Sequence, residues 1–357
     1  MPLLTVSHLY KRFNLEAGFF ARFGRFVNAV NDISFSIEKN ETYGLAGESG
    51  CGKTTTARML VRMYEADSGQ ITFFDGESSV SVGALQKDDL RQYREKVRYV
   101  FQDPARSLNP RMSVYEVLVS GCRRPLKSRG VSEKELRQKA AAILEEAGLQ
   151  AADLEKRPAE FSGGQRQRIS IARALLMEPE LLICDEVVSA LDVSIQGQIL
   201  NLLLDIRDKR DMSFLFIAHD LKVACYFCDR IGVMYRGELM EEAPASDLYR
   251  EAVHPYTQLL FSSATSVKEA YDNQSKKINH EVTRSEHTEL GNHTQNSVAV
   301  SGENLDSGFC PFAPRCPQAT ERCFREHPTL KEIKSGHLIR CFNFDNLITA
   351  PPSGSAI

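Results

Sequence analysis

Residues 47–54, GESGCGKT, constrain the fold of this chain more than any other part of its sequence. They have the spacing of a phosphate-binding loop, in which a glycine and four further residues precede Gly-Lys-Thr. The apolar run TYGLA comes before them, and a helical pattern follows. A strand, a glycine-rich turn and a helix in this order direct backbone N–H groups and the helix dipole at phosphate oxygens. The segment therefore predicts an α/β fold that binds a nucleoside triphosphate.

Two side chains of this loop have expected roles of their own. Lys53 is predicted to neutralise phosphate charge, and the hydroxyl of Thr54 is predicted to ligate Mg²⁺. The positions expected to contact ATP in this segment are Gly47, Glu48, Ser49, Gly50, Cys51, Gly52, Lys53, Thr54 and Thr55.

A pair of carboxylates ends the apolar run LLICDE, residues 181–186. Functional groups of parallel sheets lie at the carboxyl ends of buried strands. Asp185 is placed there to hold Mg²⁺ through its water shell, and Glu186 to act as the base that polarises the attacking water. Such a run taken alone is often only a strand that meets a solvated turn, but the phosphate loop upstream favours the catalytic interpretation.

Composition excludes several classes of protein. The formal net charge is −3, without the basic bias of a nucleic-acid-binding chain, so no nucleic-acid partner is expected. No stretch approaches the roughly 20 apolar residues of a membrane-spanning helix, and the amino terminus lacks the pattern of a secretory signal. We expect a cytosolic chain.

The chain divides by pattern into four parts. Strand and helix patterns alternate through residues 1–264, with a mainly helical stretch at 86–149. Residues 265–307 are polar and indicate a flexible linker, whereas 308–345 are rich in cysteine and 346–357 form a tail. The first part is the expected nucleotide-binding domain.

Residues 161–165, FSGGQ, followed by RQRISIARALL, resemble the signature motif of ABC ATPases. Ser162 is predicted to cap a helix, and the free N–H groups of the glycines to form a second anion site. Two glycines lower the stability of a helix start, so a purely structural role is the poorer explanation. The resemblance implies that ATP contacts Ser162, Gly163, Gly164 and Gln165.

Four further positions match motifs of the same family. Gln102 resembles the Q-loop glutamine, which meets Mg²⁺ or water, and His219 resembles the switch histidine at the γ-phosphate. Asp192, in SALD, resembles the D-loop that crosses to a partner ATPase. Phe13 matches the aromatic residue that stacks on adenine, with Tyr10 as the alternative and ordinary strand packing as the competing explanation.

The resemblance implies a fold and an assembly. The fold is the P-loop NTPase core of ABC ATPases, with an N-terminal antiparallel β subdomain, a helical subdomain and a small cysteine-rich C-terminal extension. The signature motif of one subunit closes over the phosphate loop of another, so a dimer is required. Val187 departs from the family pattern, because close relatives usually have proline after the catalytic glutamate; the turn should be less constrained.

Three stretches resemble the subfamily that imports dipeptides and oligopeptides, with nickel importers among its members. They are residues 101–112, residues 184–203 and the later HPYT of residues 254–257. The resemblance implies a second, homologous ATPase subunit, two permease subunits in the membrane and an external substrate-binding protein. The chain would lie at the cytoplasmic face of the cell membrane. A soluble ABC ATPase that acts on ribosomes or DNA, and an ATP-binding regulator without hydrolysis, are the alternatives.

Four cysteines crowd into the C-terminal part: Cys310, Cys316, Cys323 and Cys341. Four thiols in a reducing compartment indicate a metal site, but structural zinc favours pairs only two to four residues apart. The pattern looks like the four-cysteine tail of the peptide-importer subfamily, which implies a [4Fe–4S] cluster. Zinc, and thiols without metal, remain alternatives. Because the polar linker separates this part from the nucleotide motifs along the chain, we expect ATP binding to survive loss of one of these cysteines.

Overall fold

The structure is a computed structural model that describes residues 1–14, 26–76, 78–263 and 308–344. The linker expected over 265–307 and the tail expected over 346–357 lie outside the described residues. The strands within the described ranges are β1 Pro2–Asn14, β2 Phe26–Glu38, β3 Thr42–Ala46, β4 Ser68–Asp75, β5 Ser78–Ser81, β6 Val97–Val100, β7 Leu181–Asp185, β8 Ser213–Ala218, β9 Arg230–Tyr235, β10 Glu238–Pro244, β11 Lys331–Lys334 and β12 His337–Ile339.

The helices in the same ranges are α1 Lys53–Leu60, α2 Lys87–Lys96, α3 Pro104–Ser107, α4 Val114–Val119, α5 Arg123–Ser128, α6 Glu133–Glu146, α7 Gly163–Leu175, α8 Val193–Arg210, α9 Leu221–Phe227, α10 Ala245–Glu251 and α11 Pro255–Ser263. None of these described helices has the length and apolar character that crossing a bilayer requires.

The strands form two sheets. An antiparallel sheet of order β2-β1-β4-β5 builds the N-terminal subdomain that the family resemblance implied. The larger sheet has the order β11-β12-β10-β9-β3-β8-β7-β6, and its strands β9, β3, β8, β7 and β6 run parallel. One apolar core lies between the two sheets around α1, and a second lies between the larger sheet and α4, α6, α7, α8 and α9.

The register of the parallel strands determines where the functional groups meet. Ala46 at the end of β3 is opposite Ala218 at the end of β8, and Asp185 at the end of β7 is opposite Ile217. All residues of these three strands are buried, which fits their nearly continuous apolar sequences. The phosphate loop, the carboxylate pair and His219 therefore leave the sheet at one edge, as the sequence predicted.

The stretch at 86–149, predicted to be mainly helical, contains a strand as well. The helices α2 to α6 lie there, but the four residues of β6 pair in parallel with β7. The sequence VRYV is rich in β-branched and aromatic residues, yet it is too short to stand out between two strong helical patterns. This strand matters because it delivers Gln102 to the same edge.

The cysteine-rich segment joins the larger sheet through a short hairpin. In β12, Leu338 and Ile339 pair with Glu242 and Glu241 of β10, and β11 completes the sheet edge. His337 Nε2 lies 2.7 Å from Glu241 Oε1, and both side chains are buried. The segment is therefore connected to the nucleotide-binding fold by backbone pairing and by a buried polar contact.

Candidate functional site

The phosphate-binding loop connects β3 to α1 in a backbone shape that requires glycine at two positions. Gly47 has a φ of 147°, and a Cβ there would lie 2.2 Å from Met234 O. Gly52 has a φ of 111°, and its Cβ would lie 2.1 Å from Ala29 O. Side chains at these positions would collide with backbone, so the loop is held between β9 and β2.

Lys53 begins α1 and points into the loop. Its Nζ donates to Gly47 O at 2.6 Å and to Glu48 O at 3.0 Å, and the residue is 3% exposed. Ser49 and Gly50 at the tip of the loop are exposed, whereas Cys51 is buried. The arrangement places one positive charge at the centre of a curled, N–H-rich loop, which is suited to a polyphosphate.

Two of the three groups expected at Mg²⁺, Thr54 and Asp185, are hydrogen-bonded to each other, whereas the third, Gln102, is bonded to Glu186. Thr54 Oγ1 donates to Asp185 Oδ1 at 2.9 Å, and Tyr99 OH donates to Asp185 Oδ2 at 2.5 Å. Burial, followed by the charge of Asp185, raises the pKa of the Tyr99 hydroxyl, so it remains a donor at neutral pH. Sequence reasoning missed Tyr99, because it lies on the strand β6 that was not recognised.

Glu186 leaves the end of β7 in a strained turn. Its φ is 48°, in a region that residues other than glycine seldom occupy. Its N–H donates to Ile217 O at 3.1 Å, and its own carbonyl accepts bonds from the N–H and hydroxyl of Ser189. The neighbouring Val187 is 2% exposed and packs in the core. These bonds hold the turn without the proline that the family pattern would place there.

Gln102 and His219 converge on this carboxylate. Gln102 Nε2 donates to Glu186 Oε2 at 2.6 Å. His219 and Glu186 line one cavity of about 50 Å³, together with Ser189 and Asp220. The structure thus brings together the three side chains predicted to be catalytic. It pairs the Gln102 amide with the carboxylate of the expected base.

The signature segment is built as a capped helix start. Ser162 Oγ accepts from the N–H of Gln165 at 3.3 Å, and Gln165 Oε1 accepts from the N–H of Ser162 at 3.0 Å, so both residues cap α7. Gly163 is exposed, whereas a Cβ at Gly164 would lie 2.6 Å from Ile195 Cγ2 of α8. The second glycine therefore has a packing reason that sequence reasoning did not identify.

Asp192 and Phe13 lie on the flanks of this edge. Asp192 is exposed at the N-terminus of α8, where another chain can reach it. Phe13 is half-buried on β1, paired with Val27, and its ring packs edge-on against Tyr64 at 5.4 Å. The backbone two residues further along β2, at Ala29, touches the phosphate loop. Phe13 is therefore on the strand pair that flanks the phosphate loop, and its stacking on adenine stays a prediction.

Two residues that contact the loop were missed as site residues by sequence reasoning. Tyr256, in the HPYT stretch, accepts a hydrogen bond from the N–H of Glu48 at 2.9 Å. Arg315, between two of the C-terminal cysteines, donates to both carboxylate oxygens of Glu48, at 2.7 and 2.8 Å. These bonds are the main cause of the lowered pKa of Glu48. Neither contact has a sequence signal, since 208 and 267 positions separate the partners.

The four C-terminal cysteines line one small cavity, with Phe312, Phe342 and His254 in its wall. The cavity measures about 10 Å³, room for about one water molecule. All are free thiols, and burial raises the pKa of Cys310, Cys316 and Cys341, that of Cys341 to about 11.

Backbone N–H groups point at three of these sulfurs. Asn343 N donates to Cys341 Sγ at 3.4 Å, and backbone bonds from Phe312 and Gln318 lower the pKa of Cys310 and Cys316 respectively, against the effect of burial. N–H donors to sulfur favour the thiolate form of cysteine. By ligand type, therefore, the four sulfurs suit a metal group that is bound by thiolates. Within the described residues, however, no group of three or more His, Cys, Asp or Glu side chains is arranged to hold a metal ion.

Known families match two parts of the chain. The ABC transporter family profile matches residues 30–189, which include the phosphate loop, the signature segment and the carboxylate pair. The profile of the oligopeptide/dipeptide transporter C-terminal region matches residues 240–323, which include Tyr256 and Arg315.

Similar proteins carry consistent descriptions. The oligopeptide transport ATP-binding protein OppF of Bacillus subtilis (strain 168) is 46% identical over 261 residues, 73% of this chain and 82% of that protein. The putative oligopeptide transport ATP-binding protein YkfD of the same organism is 38% identical over 351 residues, 98% of both chains. A putative peptide import ATP-binding protein of Brucella ovis is 39% identical over 347 residues, 97% of this chain and 99% of that one.

Solved structures agree with the fold. The ATP-binding cassette MJ0796, in a dimeric post-hydrolysis state with ADP and Pi, has a TM-score of 0.58 and 26% identity over 68% of this chain and 98% of that one. CbiO1 of Clostridium perfringens, part of the transporter complex cbiONQ, has a TM-score of 0.59 at 23% identity over 77% of this chain and 99% of that one. The chain therefore belongs to the ABC transporter ATPases and, within them, to the oligopeptide and dipeptide transport ATP-binding proteins.

Proposed function

We propose that the chain hydrolyses ATP at the cytoplasmic face of a membrane to drive uptake of dipeptides or oligopeptides through two permease subunits, with an external binding protein. Two hydrogen bonds at the carboxyl edge of the parallel strands support ATP hydrolysis: Asp185 is bonded to Thr54, and Glu186 is bonded to Gln102. The peptide part is supported by the names of the relatives and by the C-terminal profile.

The proposed mechanism assigns one task to each group. The phosphate loop and Lys53 bind the phosphates, and Thr54 with Asp185 would hold a Mg²⁺ ion, which would supply neutralisation of phosphate charge. Glu186 orients water for attack on the γ-phosphate and accepts its proton, while Gln102 positions the carboxylate and His219 bonds to the γ-phosphate, with ADP as the leaving group. The Glu186 side chain is half-buried at the sheet edge and is bonded there to Gln102.

A second ATPase subunit completes the proposed site. Ser162, Gly163 and Gln165 are exposed, and the bonds of the capping box stay within their own turn. They are therefore accessible to the ATP held by another chain, as is Asp192. We take the partner to be a different, homologous ATPase.

The experiment uses the assembled complex in vesicles, purified with its partners and loaded with the binding protein. ATP hydrolysis and uptake of a labelled dipeptide, a labelled oligopeptide and nickel are measured side by side. Peptide uptake that requires ATP supports the proposal. Uptake of nickel but of neither peptide would mean that the ATPase drives a metal importer. ATP hydrolysis without uptake of any of the three solutes would contradict an importer of these solutes.

We further propose that Cys310, Cys316, Cys323 and Cys341 hold a [4Fe–4S] cluster. The convergence of the four cysteines on one cavity and the N–H donors at sulfur support this assignment, and a cluster would require the turns to open the cavity beyond its volume of about 10 Å³. Such a group would cross-link the turns of the segment. Chain purified without oxygen should be brown and contain about four irons per chain. Colourless chain with stoichiometric zinc would assign the site to zinc, and chain without metal would leave it as packed thiols.

A further inference from the structure

The cysteine-bearing segment reaches the phosphate loop through one arginine. Arg315 Nη2 lies 2.7 Å from Glu48 Oε1, and Nη1 lies 2.8 Å from Oε2, so the guanidinium holds the carboxylate with two parallel bonds. This fork geometry fixes orientation as well as charge, which a lysine could not do. Glu48 is the second residue of the loop, directly after the obligatory Gly47.

Arg315 is itself held in place by the segment. It ends the short 3₁₀ turn Ala313–Arg315, which lies between Cys310 and Cys316. Its guanidinium carbon lies 5.6 Å from the ring centre of Tyr235 and 5.8 Å from that of Phe312, a residue that is 1% exposed. The aromatic rings and the turn restrict the arginine to the direction of the loop.

The charge of Glu48 gives this contact a consequence for ATP. A carboxylate at the base of a phosphate-binding loop repels the polyphosphate unless a cation neutralises it. Lys53 and Arg236 also act on Glu48 through their charge, but Arg315 is the residue that bonds to both of its oxygens. Both side chains are partly exposed, 42% for Arg315 and 39% for Glu48, so solvent screens the effect and keeps it moderate.

We propose that Arg315 is a positioning residue for ATP binding: it neutralises Glu48 and holds the loop, and it thereby makes nucleotide affinity depend on the packing of the C-terminal segment. This inference rests on the phosphate-binding role proposed for the loop. The N–H of Glu48 is bonded to Tyr256 OH, so the same residue is tethered by backbone and by side chain. The ring of Tyr256 in turn packs on Phe312, 5.3 Å between centres.

The test measures the Kd of a fluorescent ATP analogue for the full-length chain. The variants are Arg315→Met and Arg315→Lys, each alone and in a Glu48→Gln background. Arg325→Met is the matched control: Arg325 lies in the same segment but is 75% exposed and paired with Glu321. Lys53→Ala reports on the loop itself, and thiol reactivity of the four cysteines reports on whether the segment stays packed.

We expect Arg315→Met to raise the Kd about three- to fivefold in the wild-type background, with a smaller rise for Arg315→Lys. In the Glu48→Gln background, the effect of Arg315→Met should shrink to less than about twofold, since the unpaired charge is gone. The rise should also diminish in high salt, because exposed charges are screened. Arg325→Met should leave the Kd unchanged.

Two results would overturn the inference. One is an unchanged Kd for Arg315→Met, and the other is an equal rise in both backgrounds, which would mean that the arginine acts only through folding. If Arg315→Met exposes the thiols, Arg315→Lys decides instead, and an unchanged Kd for it would count against the proposal. If Lys53→Ala leaves the Kd unchanged, the loop assignment itself fails, and this outcome is distinct from the others.

Discussion

The carboxyl edge of the parallel strands and the cysteine-bearing segment hold their functional groups in different ways. At the edge, rigid strands end in register, and polar side chains bond to one another there: Asp185 accepts from Tyr99 of the neighbouring strand and from Thr54 of α1. In the segment, the cysteines are carried largely by short turns, and bonds from the local backbone support their sulfurs. The geometry of the carboxyl edge therefore depends on the regular sheet. The geometry of the cysteine-bearing segment depends on local turns and on any metal group that the thiols bind.

The largest effect is expected from a change at Glu186, the proposed catalytic base at the carboxyl edge of the parallel strands. Glu186→Gln removes the base but keeps the bond from Gln102, so ATP binding should persist while hydrolysis falls by about 10²-fold or more. The measurement is steady-state phosphate release by the complex, with the other ATPase subunit inactivated. Normal ATP turnover by Glu186→Gln would contradict the assignment of Glu186 as the catalytic base.

The next prediction breaks the second arrangement. Cys310→Ser places a hydroxyl in the small buried cavity, which should lower the free energy of unfolding by about 1–3 kcal/mol and abolish any bound metal. Calorimetry and metal analysis measure the two effects. Cys184→Ser, at a buried position of β7, is the matched control: it should destabilise the chain without changing its metal content. Equal metal loss in both variants would contradict a site confined to the segment.

A third prediction separates binding from coupling within the first region. Gln102→Ala removes a bond to Glu186 but none to the phosphate loop, so uptake should fall about fivefold or more while ATP affinity changes less than about twofold. Hydrolysis and uptake are compared in the same vesicles. If both follow the change in ATP affinity, or if neither changes, Gln102 has no coupling role.

The smallest prediction compares the packing density of the two regions with a matched pair of glycines. Gly164→Ala meets Ile195 at 2.6 Å and should lower stability by about 1 kcal/mol, since a packed side chain must move. Gly308→Ala, at the start of the cysteine-bearing segment, meets nothing within 4 Å. The melting temperature of Gly308→Ala should match that of the unaltered chain. An equal loss of stability in both variants would contradict the difference in packing density between the two regions.

The sequence predicts geometry correctly where local pattern and strand ends determine it. The phosphate loop, the carboxylate pair, the cap at Ser162 and the convergence of Gln102, Glu186 and His219 follow from motifs at the ends of apolar runs. The strand β6 was missed because four residues carry too little periodicity to compete with flanking helices.

The contacts between the C-terminal part and the phosphate loop have no signal in the sequence. Nothing in the residues near Arg315 or Tyr256 indicates that both reach Glu48, because the pairing of β10 with β12 and the packing of Phe312 create that proximity. We expected ATP binding to survive loss of a C-terminal cysteine because the cysteines are far from the nucleotide motifs along the chain. Separation along the chain does not mean separation in space. The Arg315 contact removes that reason, and the affinity of Cys310→Ser for ATP is the measurement to make.

The pairing of β12 with β10 also has a consequence for how the chain is made. Glu241 and its partner His337 are 96 positions apart, so at a synthesis rate of about 5–20 residues per second the outer edge of β10 waits roughly 5–20 s for its neighbour. During that interval the nascent chain presents an unpaired strand edge, the kind of surface that recruits other strands. A chain whose synthesis ends between these positions would contain the whole nucleotide loop but leave the outer edge of β10 without its partner strand, a surface that chaperones and proteases recognise.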